Sequence, residues 1–357
     1  MSATDQMSRM KELVEQINKH DMLYYTLDQP EIGDAEYDKL YDELVRLEKE
    51  TGEKLPNSPT QRVGGELLQG FAPHRHLAPL WSLDKAQNVE TLMNWKTRVE
   101  KQIASYNDSH PEDPLPDPSF VVELKFDGLT INLTYEQGKL VQAATRGNGS
   151  VGEGILPQVK TIKSIPLEID YKGGVIEVQG EGIMNLSVLE AYNKTAAEPL
   201  KNARNAAAGA LRNLDPNTTA KRRLDAYIYN VGYIEGRSFE NHQEMVQFLK
   251  ENRFKVNPYI SFFGSIEDVI RELGRIDEMR HTLDYLIDGA VIKLADMRTR
   301  AALGYTDKFP RWAIAWKFES QEVPTVLKEV LWEVGRTGKI TPVARVEPTD
   351  IGGVTVQ

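Results

Sequence analysis

The sequence contains no cysteine among its 357 residues. This absence excludes disulfide bonds, thiol catalysis and zinc sites built on cysteine. Positive charge is also scarce, because 43 lysine and arginine residues face 53 acidic residues and leave a formal net charge of −10. This balance argues against a free-standing, charge-driven nucleic-acid binder, so any contact with DNA or RNA must use a local basic surface or a part of the protein outside this sequence.

Several sequence signals are missing as well. No apolar run approaches the length of a membrane span, and the first residues lack the basic-then-apolar pattern of a signal peptide. Neither the glycine-x4-glycine-lysine loop of phosphate-loop kinases nor the strand-linked glycine-x-glycine-x2-glycine motif of dehydrogenases is evident. We therefore expect a cytoplasmic protein that makes no membrane contact and belongs to neither of these enzyme classes.

The first 50 residues have the apolar spacing of two amphipathic helices. Asp34 is predicted to cap the second helix. The region between the helices, 23–33, is predicted to be a turn-rich connector, 54–70 a linker and 107–118 an exposed loop. The two apolar stripes consist of Met10, Leu13, Val14 and Ile17, and of Tyr37, Leu40, Tyr41, Leu44 and Leu47.

From residue 120 onward, short strand patterns mix irregularly with helical ones, which favours an α+β fold over a regular βαβ alternation. Two further strands, at 327–334 and 341–346, are too few for a closed small domain, so we expect that domain to be cut short or to continue. The other predicted strands are 120–124, 129–135, 140–145, 174–181, 225–231, 288–294 and 312–319, and the predicted helices are 186–198, 240–252 and 266–273.

The most informative segment is Glu123-Leu124-Lys125-Phe126-Asp127-Gly128. An apolar pair precedes it and an alternating segment follows it, which indicates a strand, a tight turn and a second strand. Alternation in an extended chain places Glu123, Lys125 and Asp127 on one side. Taken alone, this pattern fits a surface strand with ion pairs equally well.

Four later segments bring further polar groups to strand ends. Arg146 enters a glycine turn, which is suited to contact with a phosphate, and Glu181 shares a strand face with Glu177 and Gln179. Lys293 shares a face with Gly289 and Val291, and Lys317 shares one with Ala313 and Ala315, opposite Trp312, Ile314 and Trp316. Hairpin turns and solvated or buried strand faces explain each segment separately.

Together these segments place three lysines and an arginine at strand ends. Clustered cations neutralise a polyphosphate, and they lower one another's ammonium pKa so that one amine is free to react. Nucleophilic attack by lysine on a phosphorus atom requires both effects. The residues concerned are Lys125, Lys293, Lys317 and Arg146.

These motifs resemble those of the covalent nucleotidyltransferases, and most closely those of the bacterial NAD-dependent DNA ligases. Lys125-Phe126-Asp127-Gly128 is similar to the lysine-x-aspartate-glycine motif of the superfamily, and its later motifs resemble Arg146-Gly147, Glu181, 288–293 and Trp316-Lys317, in that order. The segment 24–38 resembles the piece that binds the nicotinamide mononucleotide (NMN) half of NAD, which ATP-dependent ligases lack. Segments 58–64, 202–209 and 334–338 also match the family.

The resemblance implies an α+β fold, with a nucleotidyltransferase domain of antiparallel sheets flanked by helices. It divides the chain into a helical NMN-binding subdomain at 1–70, an adenylation domain at 71–318 and the beginning of an OB fold at 319–357. The helical subdomain would close over NAD and then swing away, with the predicted linker as its hinge. We expect a monomer.

The resemblance also implies a reaction in three steps. Lys125 would attack the α-phosphorus of NAD, release NMN and become lysyl-AMP. The AMP would pass to the 5′-phosphate of nicked double-stranded DNA, and the 3′-hydroxyl would displace it to seal the strand. Positioning and charge stabilisation, assisted by Mg²⁺, would supply the catalysis. The sequence does not identify direct ligands of the ion.

Each site residue has a role that the resemblance implies. Residues implied in catalysis are Lys125, Asp127, Arg146, Glu181, Lys293 and Lys317. All of these except Asp127 would also bind the nucleotide. The other residues that would bind it are Ser82, Leu83, Glu123, Tyr229, Asp288 and Val291. The NMN half would be held by Tyr24, Tyr25, Asp34, Ala35, Glu36, Tyr37 and Asp38, and the nicked DNA by Arg204, Arg212 and Arg280.

Two other hypotheses stay open. An ATP-dependent ligase or capping-type nucleotidyltransferase would be labelled by ATP and not by NAD, although segment 24–38 argues against it. A non-catalytic nucleotide-binding relative is favoured by Asn148 and Gly154, where the family commonly has aspartate. Tyr25, Gln179 and Ala203 are further differences from the family pattern.

Some of the site residues have a simpler interpretation by pattern alone. Tyr37 is then a core residue, and Arg204, Arg212 and Arg280 are ordinary surface charges.

Overall fold

The computed structural model describes residues 3–62, 69–318, 323–335, 338–351 and 354–357. Val63-Gly64 and Arg336-Thr337, which belong to two of the matching segments, lie outside these ranges. The α-helices are α1 (Ala3–Asp21), α2 (Asp34–Thr51), α3 (Val89–Ser109), α4 (Leu156–Lys160), α5 (Leu186–Asn193), α6 (Ala203–Leu211), α7 (Pro216–Lys221), α8 (His242–Glu251), α9 (Ile266–Met279) and α10 (Met297–Leu303).

The strands match the predicted ones closely, with the addition of several short strands. They are β1 (Pro73–Arg75), β2 (Asp84–Ala86), β3 (Phe120–Phe126), β4 (Leu129–Glu136), β5 (Lys139–Thr145), β6 (Val151–Glu153), β7 (Val175–Ile183), β8 (Asp225–Ile234), β9 (Ile260–Phe263), β10 (Ile287–Leu294), β11 (Ala313–Lys317), β12 (Leu327–Val334), β13 (Ile340–Val346), β14 (Thr349–Ile351) and β15 (Val354–Val356).

Helices α1 and α2 pack against each other through the two predicted stripes, which form a small core of their own. The prediction that Asp34 caps α2 is wrong. Gly33 is the capping residue, and Asp34 is the first residue of the helix. In that position its charge faces the positive end of the helix dipole. The predicted turn-rich connector is partly helical, because Met22–Thr26 forms a π-helical turn.

Part of the predicted linker at 54–70 is fixed to the rest of the protein. Pro59–Arg62 forms a 3₁₀ turn, and the hydroxyls of Ser58 and Thr60 donate to Glu48 at 2.5 and 2.6 Å. The Arg62 guanidinium donates to the backbone carbonyls of residues 162 and 165, both at 3.0 Å. Proline and serine signal turns in a sequence, but they do not reveal whether the turn is buried.

Two sheets form the central body. The five-stranded sheet has the order β2-β11-β10-β3-β9, and the four-stranded sheet has the order β5-β4-β7-β8. Their pairings are antiparallel, as predicted, except that the short edge strand β2 runs parallel to β11. Helices α3 and α9 cover one face of the five-stranded sheet, where Val122 and Leu124 are buried. The alternating residues Glu123 and Lys125 therefore point away from this core, as the strand periodicity predicts.

The remaining strands form two-stranded pairs, of which β1 and β6, far apart in the sequence, form one antiparallel pair. Strands β12 and β13 pair in antiparallel fashion, and so do β14 and β15. The first hairpin confirms the two strands predicted after residue 325. Among the helices of the described residues, none is both long and apolar enough to cross a membrane.

Gly289 allows the strands that carry the lysines to approach each other closely. It lies opposite Lys125 on β3 and opposite Lys317 on β11. A Cβ atom at this position would collide with the backbone carbonyl of Trp316, because the space beside the glycine is filled. The glycine therefore fixes the distance between β10 and β11 at the point where the two lysines emerge.

Replacing Gly289 by alanine should destabilise the fold by roughly 1–3 kcal/mol, since the added methyl group overpacks the strand pair. The matched control is Gly209→Ala. Gly209 lies in α6 and has open space around it, so the same change should stabilise the protein by about 0.5–1 kcal/mol. Urea unfolding followed by circular dichroism measures both effects. Equal free energies of unfolding for the two variants would contradict this account of Gly289.

Candidate active site

A cavity of about 970 Å³ is lined by strands of both sheets, a volume within the range of ligand pockets. Most of the predicted nucleotide-contacting residues line it, and these come from segments that are far apart in the sequence. They are Ser82, Leu83, Glu123, Lys125, Arg146, Glu181, Tyr229, Asp288, Val291, Lys293 and Lys317, together with Arg204 from the predicted DNA set.

Lys125 and Lys317 share one carboxylate on the cavity wall. The ammonium of Lys125 lies 2.9 and 3.3 Å from the two oxygens of Asp288, and Lys317 donates to one of the same oxygens. Burial opposes ionisation of Asp288, but the two lysines outweigh it and hold the pKa of this carboxyl below its usual value. The arrangement is therefore a bridged pair, and not the bare cluster of cations that the sequence predicts.

Arg146 also lines the cavity, and a hydrogen-bonded turn follows it in the chain. Its guanidinium donates to Ser82 Oγ at 2.6 Å. In the following turn, the side-chain oxygen of Asn148 accepts from the backbone amides of Ser150 and Val151 at 3.0 and 2.9 Å. An aspartate would accept the same two bonds, so the departure at position 148 leaves the turn intact.

Two carboxylates lie near the lysine pair. Glu181 accepts from the Thr130 hydroxyl at 3.2 Å, and burial raises its pKa to about 7 although Lys125 opposes the shift. Asp127 pairs with Arg204 at 3.0 Å, and burial raises its pKa as well. Both groups supply carboxylate oxygens, which are the ligands that Mg²⁺ prefers in proteins.

The raised pKa of Glu181 gives a testable pH dependence. Below about pH 7 the neutral form of the residue dominates and is a poor ligand for a cation, so the metal-assisted adduct formation that the resemblance implies should fall as the pH drops from 8 to 6. Glutamine does not titrate, so Glu181→Gln should flatten this part of the pH–rate profile.

The raised pKa also affects stability. A carboxyl whose pKa is raised by folding stabilises the fold at low pH, and this contribution is lost as the pH rises through 7.

The same variant should also be more stable than the parent protein at pH 8, by on the order of 1–3 kcal/mol. At pH 4 the two proteins should have nearly equal stability, because Glu181 is then neutral in the folded state and largely neutral in the unfolded state, where its pKa has the ordinary value of 4.5. Calorimetry at the two pH values measures the difference. A variant that is destabilised at pH 8 would show that the buried carboxylate has a favourable partner.

The part of the cavity around Glu123 contains an ion pair. The sequence analysis predicts its two members, Glu123 and Lys293, as site residues, but it does not predict the histidine that contacts them. Glu123 accepts from Lys293 and from His242, each at 2.5 Å. Lys293 lies 5.5 Å from the ring centroid of Tyr229. His242 and its partner Arg300 are missed by the sequence analysis, because each is a single residue at a helix and belongs to no motif.

Glu177, which shares a face with Glu181, is neither solvated nor in the cavity. It is fully buried and accepts from the backbone amides of Leu77 and Ala78 at 2.9 and 3.3 Å, which positions the segment leading to Ser82. His74 and His76 lie beside it and complete a possible metal-ligand set. Both ring nitrogens of His76 contact protein groups, Asn132 at 3.0 Å and the carbonyl of Arg146 at 3.1 Å, so we assign this cluster a structural role.

The predicted NMN-binding residues do not line the cavity. Lys163 of the central body donates to the Tyr25 hydroxyl at 3.1 Å, and its ammonium lies 5.7 Å from the ring centroid of Tyr37. Tyr37 donates to Asp21 at 2.8 Å. The other members of the set are exposed, and they are Tyr24, Asp34, Ala35, Glu36 and Asp38. The structure therefore holds Tyr25 and Tyr37 against Lys163, and none of the set lines the cavity that contains Lys125.

Of the three predicted DNA-binding arginines, only Arg204 lines the cavity. Arg212 pairs with Glu153 at 3.3 Å. Arg280 pairs with Asp277 at 3.1 Å and lies over the ring of Phe318 at 4.7 Å. Each of the three arginines therefore has a different acidic partner, since Arg204 pairs with Asp127.

The two sheets and the lysine–aspartate site between them are the architecture of a nucleotidyltransferase, and comparison with known proteins gives the family. A model of the NAD-dependent DNA ligase adenylation domain matches residues 68–321. A DNA ligase-like, N-terminal NAD⁺-binding domain matches 3–64, and an NAD-dependent DNA ligase OB-fold domain matches 324–357. The chain belongs to the NAD-dependent DNA ligase family.

Curated relatives support the same assignment. The chain is 57% identical to a DNA ligase of Alkaliphilus metalliredigens, over 99% of the chain and 52% of that protein. It is 58% identical to a DNA ligase of Alkaliphilus oremlandii, over 98% of the chain and 52% of that protein. It is 56% identical to a DNA ligase of Finegoldia magna, over 99% of the chain and 53% of that protein. The chain thus spans about half the length of the curated relatives it matches.

Proposed function

We propose that this chain carries out the adenylation step of NAD-dependent DNA ligation. The Lys125 amine attacks the α-phosphorus of NAD, and NMN leaves with the electrons of the broken phosphoanhydride bond. The product is a lysyl-AMP phosphoramidate. The observation that carries this proposal is the Lys125–Asp288–Lys317 bridge on the cavity wall. Asp288 orients the Lys125 amine at 2.9 Å, and solvent takes up the proton that the amine gives up.

Spacing along β3 fits a nucleotide that lies against this wall. Glu123 precedes Lys125 by two residues, which separates them by roughly 6.6 Å in a strand. This separation suits a ribose between the reactive phosphate and the base. The base would lie near Glu123, with contacts from Ser82, Leu83, Tyr229 and Val291. The resemblance assigns Lys293 to the phosphate, but we place it at the base because it donates to Glu123 at 2.5 Å. Arg146 and Lys317 would neutralise the phosphates.

Magnesium would be held by the carboxylates of Asp127 and Glu181, which also lie within reach of the ribose. These oxygens form a donor set of the right chemistry for the ion. When bound, the ion would neutralise charge on the phosphates. The protein's own contribution is to hold the α-phosphorus in line with the lysine amine.

The NMN half would be held by Tyr24, Tyr25, Asp34, Ala35, Glu36, Tyr37 and Asp38. These residues belong to a helical NMN-binding domain at 1–70, followed by an adenylation domain at 71–318 and OB-fold residues at 319–357. Since the N-terminal set lies away from Lys125 in this structure, α1 and α2 must move to meet NAD. The proposal therefore requires domain closure before chemistry.

The later steps involve DNA. AMP passes from Lys125 to the 5′-phosphate at a nick, and the 3′-hydroxyl then displaces it. Arg204, Arg212 and Arg280 contact the nicked strand, and the protein acts as a cytoplasmic monomer in DNA replication and repair. With a net charge of −10, the chain relies on such local cations for this contact.

Intact-mass measurement tests the adenylation step. Pure protein incubated with NAD and Mg²⁺ should gain the mass of one AMP and release NMN. Incubation with ATP in place of NAD should leave the mass unchanged. Labelling from ATP alone would identify an ATP-dependent nucleotidyltransferase, and tight NAD binding without a mass change would identify a non-catalytic relative.

A further inference from the structure

A row of buried polar side chains lies in the cavity wall, and the two ends of the row, Glu123 and Arg300, both line the cavity. Arg300 contacts His242 Nδ1 at 3.1 Å, and His242 Nε2 contacts Glu123 Oε1 at 2.5 Å. Lys293 donates to the other carboxylate oxygen of Glu123 at 2.5 Å. The exposed fractions of Glu123, His242 and Arg300 are 2%, 0% and 6%. Such a row is costly to bury unless each member has a partner.

The geometry fixes the proton positions in this row. A guanidinium can only donate hydrogen bonds, so His242 Nδ1 must accept from Arg300. His242 Nε2 then carries the hydrogen and donates it to Glu123. Arg300 is itself held by the backbone carbonyl of Leu294 at 2.6 Å and by the ring of Trp312 at 4.5 Å. Burial lowers the pKa of His242, in agreement with a neutral imidazole.

Glu123 is consequently fixed as an acceptor. Both donors favour its ionised form, and together they outweigh burial and hold the pKa of Glu123 below its usual value. A carboxylate offers about four lone-pair directions, of which His242 and Lys293 use one each. Since Glu123 lines the cavity, the remaining directions are available to a ligand that donates an N–H group.

This arrangement discriminates between purine bases. Adenine presents an exocyclic amine that can donate to Glu123. Hypoxanthine presents a carbonyl oxygen at the same position, and its lone pairs would face the carboxylate. Sites built to bond a particular donor reject ligands that lack it strongly, because the buried partner is left unpaired.

We infer that His242 and Arg300 are positioning residues that set the base selectivity of this cavity by holding Glu123 as a fixed acceptor for an exocyclic amine. The inference rests on the proposed function, since it assumes that a purine nucleotide binds with its base at Glu123. It goes further by assigning selectivity to His242, which lies behind Glu123, and to Arg300, which orients His242 and also lines the cavity. Neither residue lies at the lysine–aspartate bridge, so their effect should fall on the base and not on the reacting phosphate.

The test compares NAD with nicotinamide hypoxanthine dinucleotide as adenylate donors for the full chain. We expect the parent protein to prefer NAD in kcat/KM by on the order of 10²–10⁴. His242→Leu should lower this preference at least tenfold, mainly by raising the KM for NAD. His242→Gln should restore most of it, because the glutamine amide can still donate to Glu123. The ratio of the two kcat/KM values does not depend on the fraction of protein that is active.

His76→Leu is the matched control. His76 is also buried, but it contacts the Arg146 turn, so its loss should slow both dinucleotides by the same factor. An unchanged preference in His242→Leu would overturn the inference, and so would a His242→Gln variant as unselective as the leucine variant.

Equilibrium binding of AMP and IMP separates this inference from the proposed function, because binding requires no chemistry. Tighter binding of AMP that is lost in His242→Leu supports the inference even if no lysyl adduct forms. Equal binding of AMP and IMP by the parent protein overturns it even if the adduct forms normally.

Discussion

Replacing Lys125 by alanine should abolish adduct formation from NAD, with a fall on the order of 10⁵-fold or more, because the nucleophile itself is removed. Lys125→Arg should be equally inactive. A guanidinium keeps the positive charge beside Asp288 but has no free amine to attack phosphorus. The two variants together separate nucleophilic catalysis from simple charge neutralisation. Intact-mass measurement over a time course gives the rates.

Lys139→Ala is the control for this experiment. Lys139 is an exposed lysine at the start of β5 and does not line the cavity, so the variant should form the adduct at the parental rate. Thermal unfolding of all three variants shows whether each is folded. An adduct that persists in Lys125→Ala would place the nucleophile elsewhere.

Tyr37→Phe and Asp34→Ala should each slow adduct formation from NAD on the order of 10²-fold, since misplacing the leaving NMN disturbs the alignment of the reacting groups. The proposed transfer of AMP from already adenylated protein to a nicked duplex should be unaffected, because NMN has then departed. In this structure both residues lie away from Lys125. An effect of this size would therefore require α1 and α2 to move over the cavity.

Tyr41→Phe is the matched control. Tyr41 stacks on Tyr37 with ring centroids 6.3 Å apart and belongs to the same apolar stripe, so removing its hydroxyl should change neither reaction. Single-turnover rates with NAD and with nicked DNA measure the two steps separately. An equal loss of both activities in Tyr37→Phe would indicate general disruption of the helical pair.

Strand faces could be predicted from the sequence, and strand partners could not. Alternation correctly separates Lys125 and Glu123 from the core residues of β3, and it does the same for Lys317 on β11. The Asp288 bridge depends on β10 lying between these two strands, which are almost 190 residues apart in the chain. Register of this kind arises from tertiary packing and leaves no local signal.

Buried single residues and some individual elements were also missed in the prediction from sequence. His242 and Arg300 acquire their meaning only from each other and from Glu123, so neither stands out in the sequence. Helix α3 is different, because Leu92, Trp95 and Val99 follow helical spacing and could have been recognised. The linker prediction failed in part for a third reason, since composition indicates turns but not their burial.

Adenylation would change the charge balance around Asp288. A phosphoramidate nitrogen carries no positive charge, so Asp288 would keep Lys317 as its remaining partner in the bridge. The attached phosphate adds a negative charge at the same time. Both changes make the protein more acidic, and the adenylated form should therefore elute later than the free form from an anion-exchange column at neutral pH.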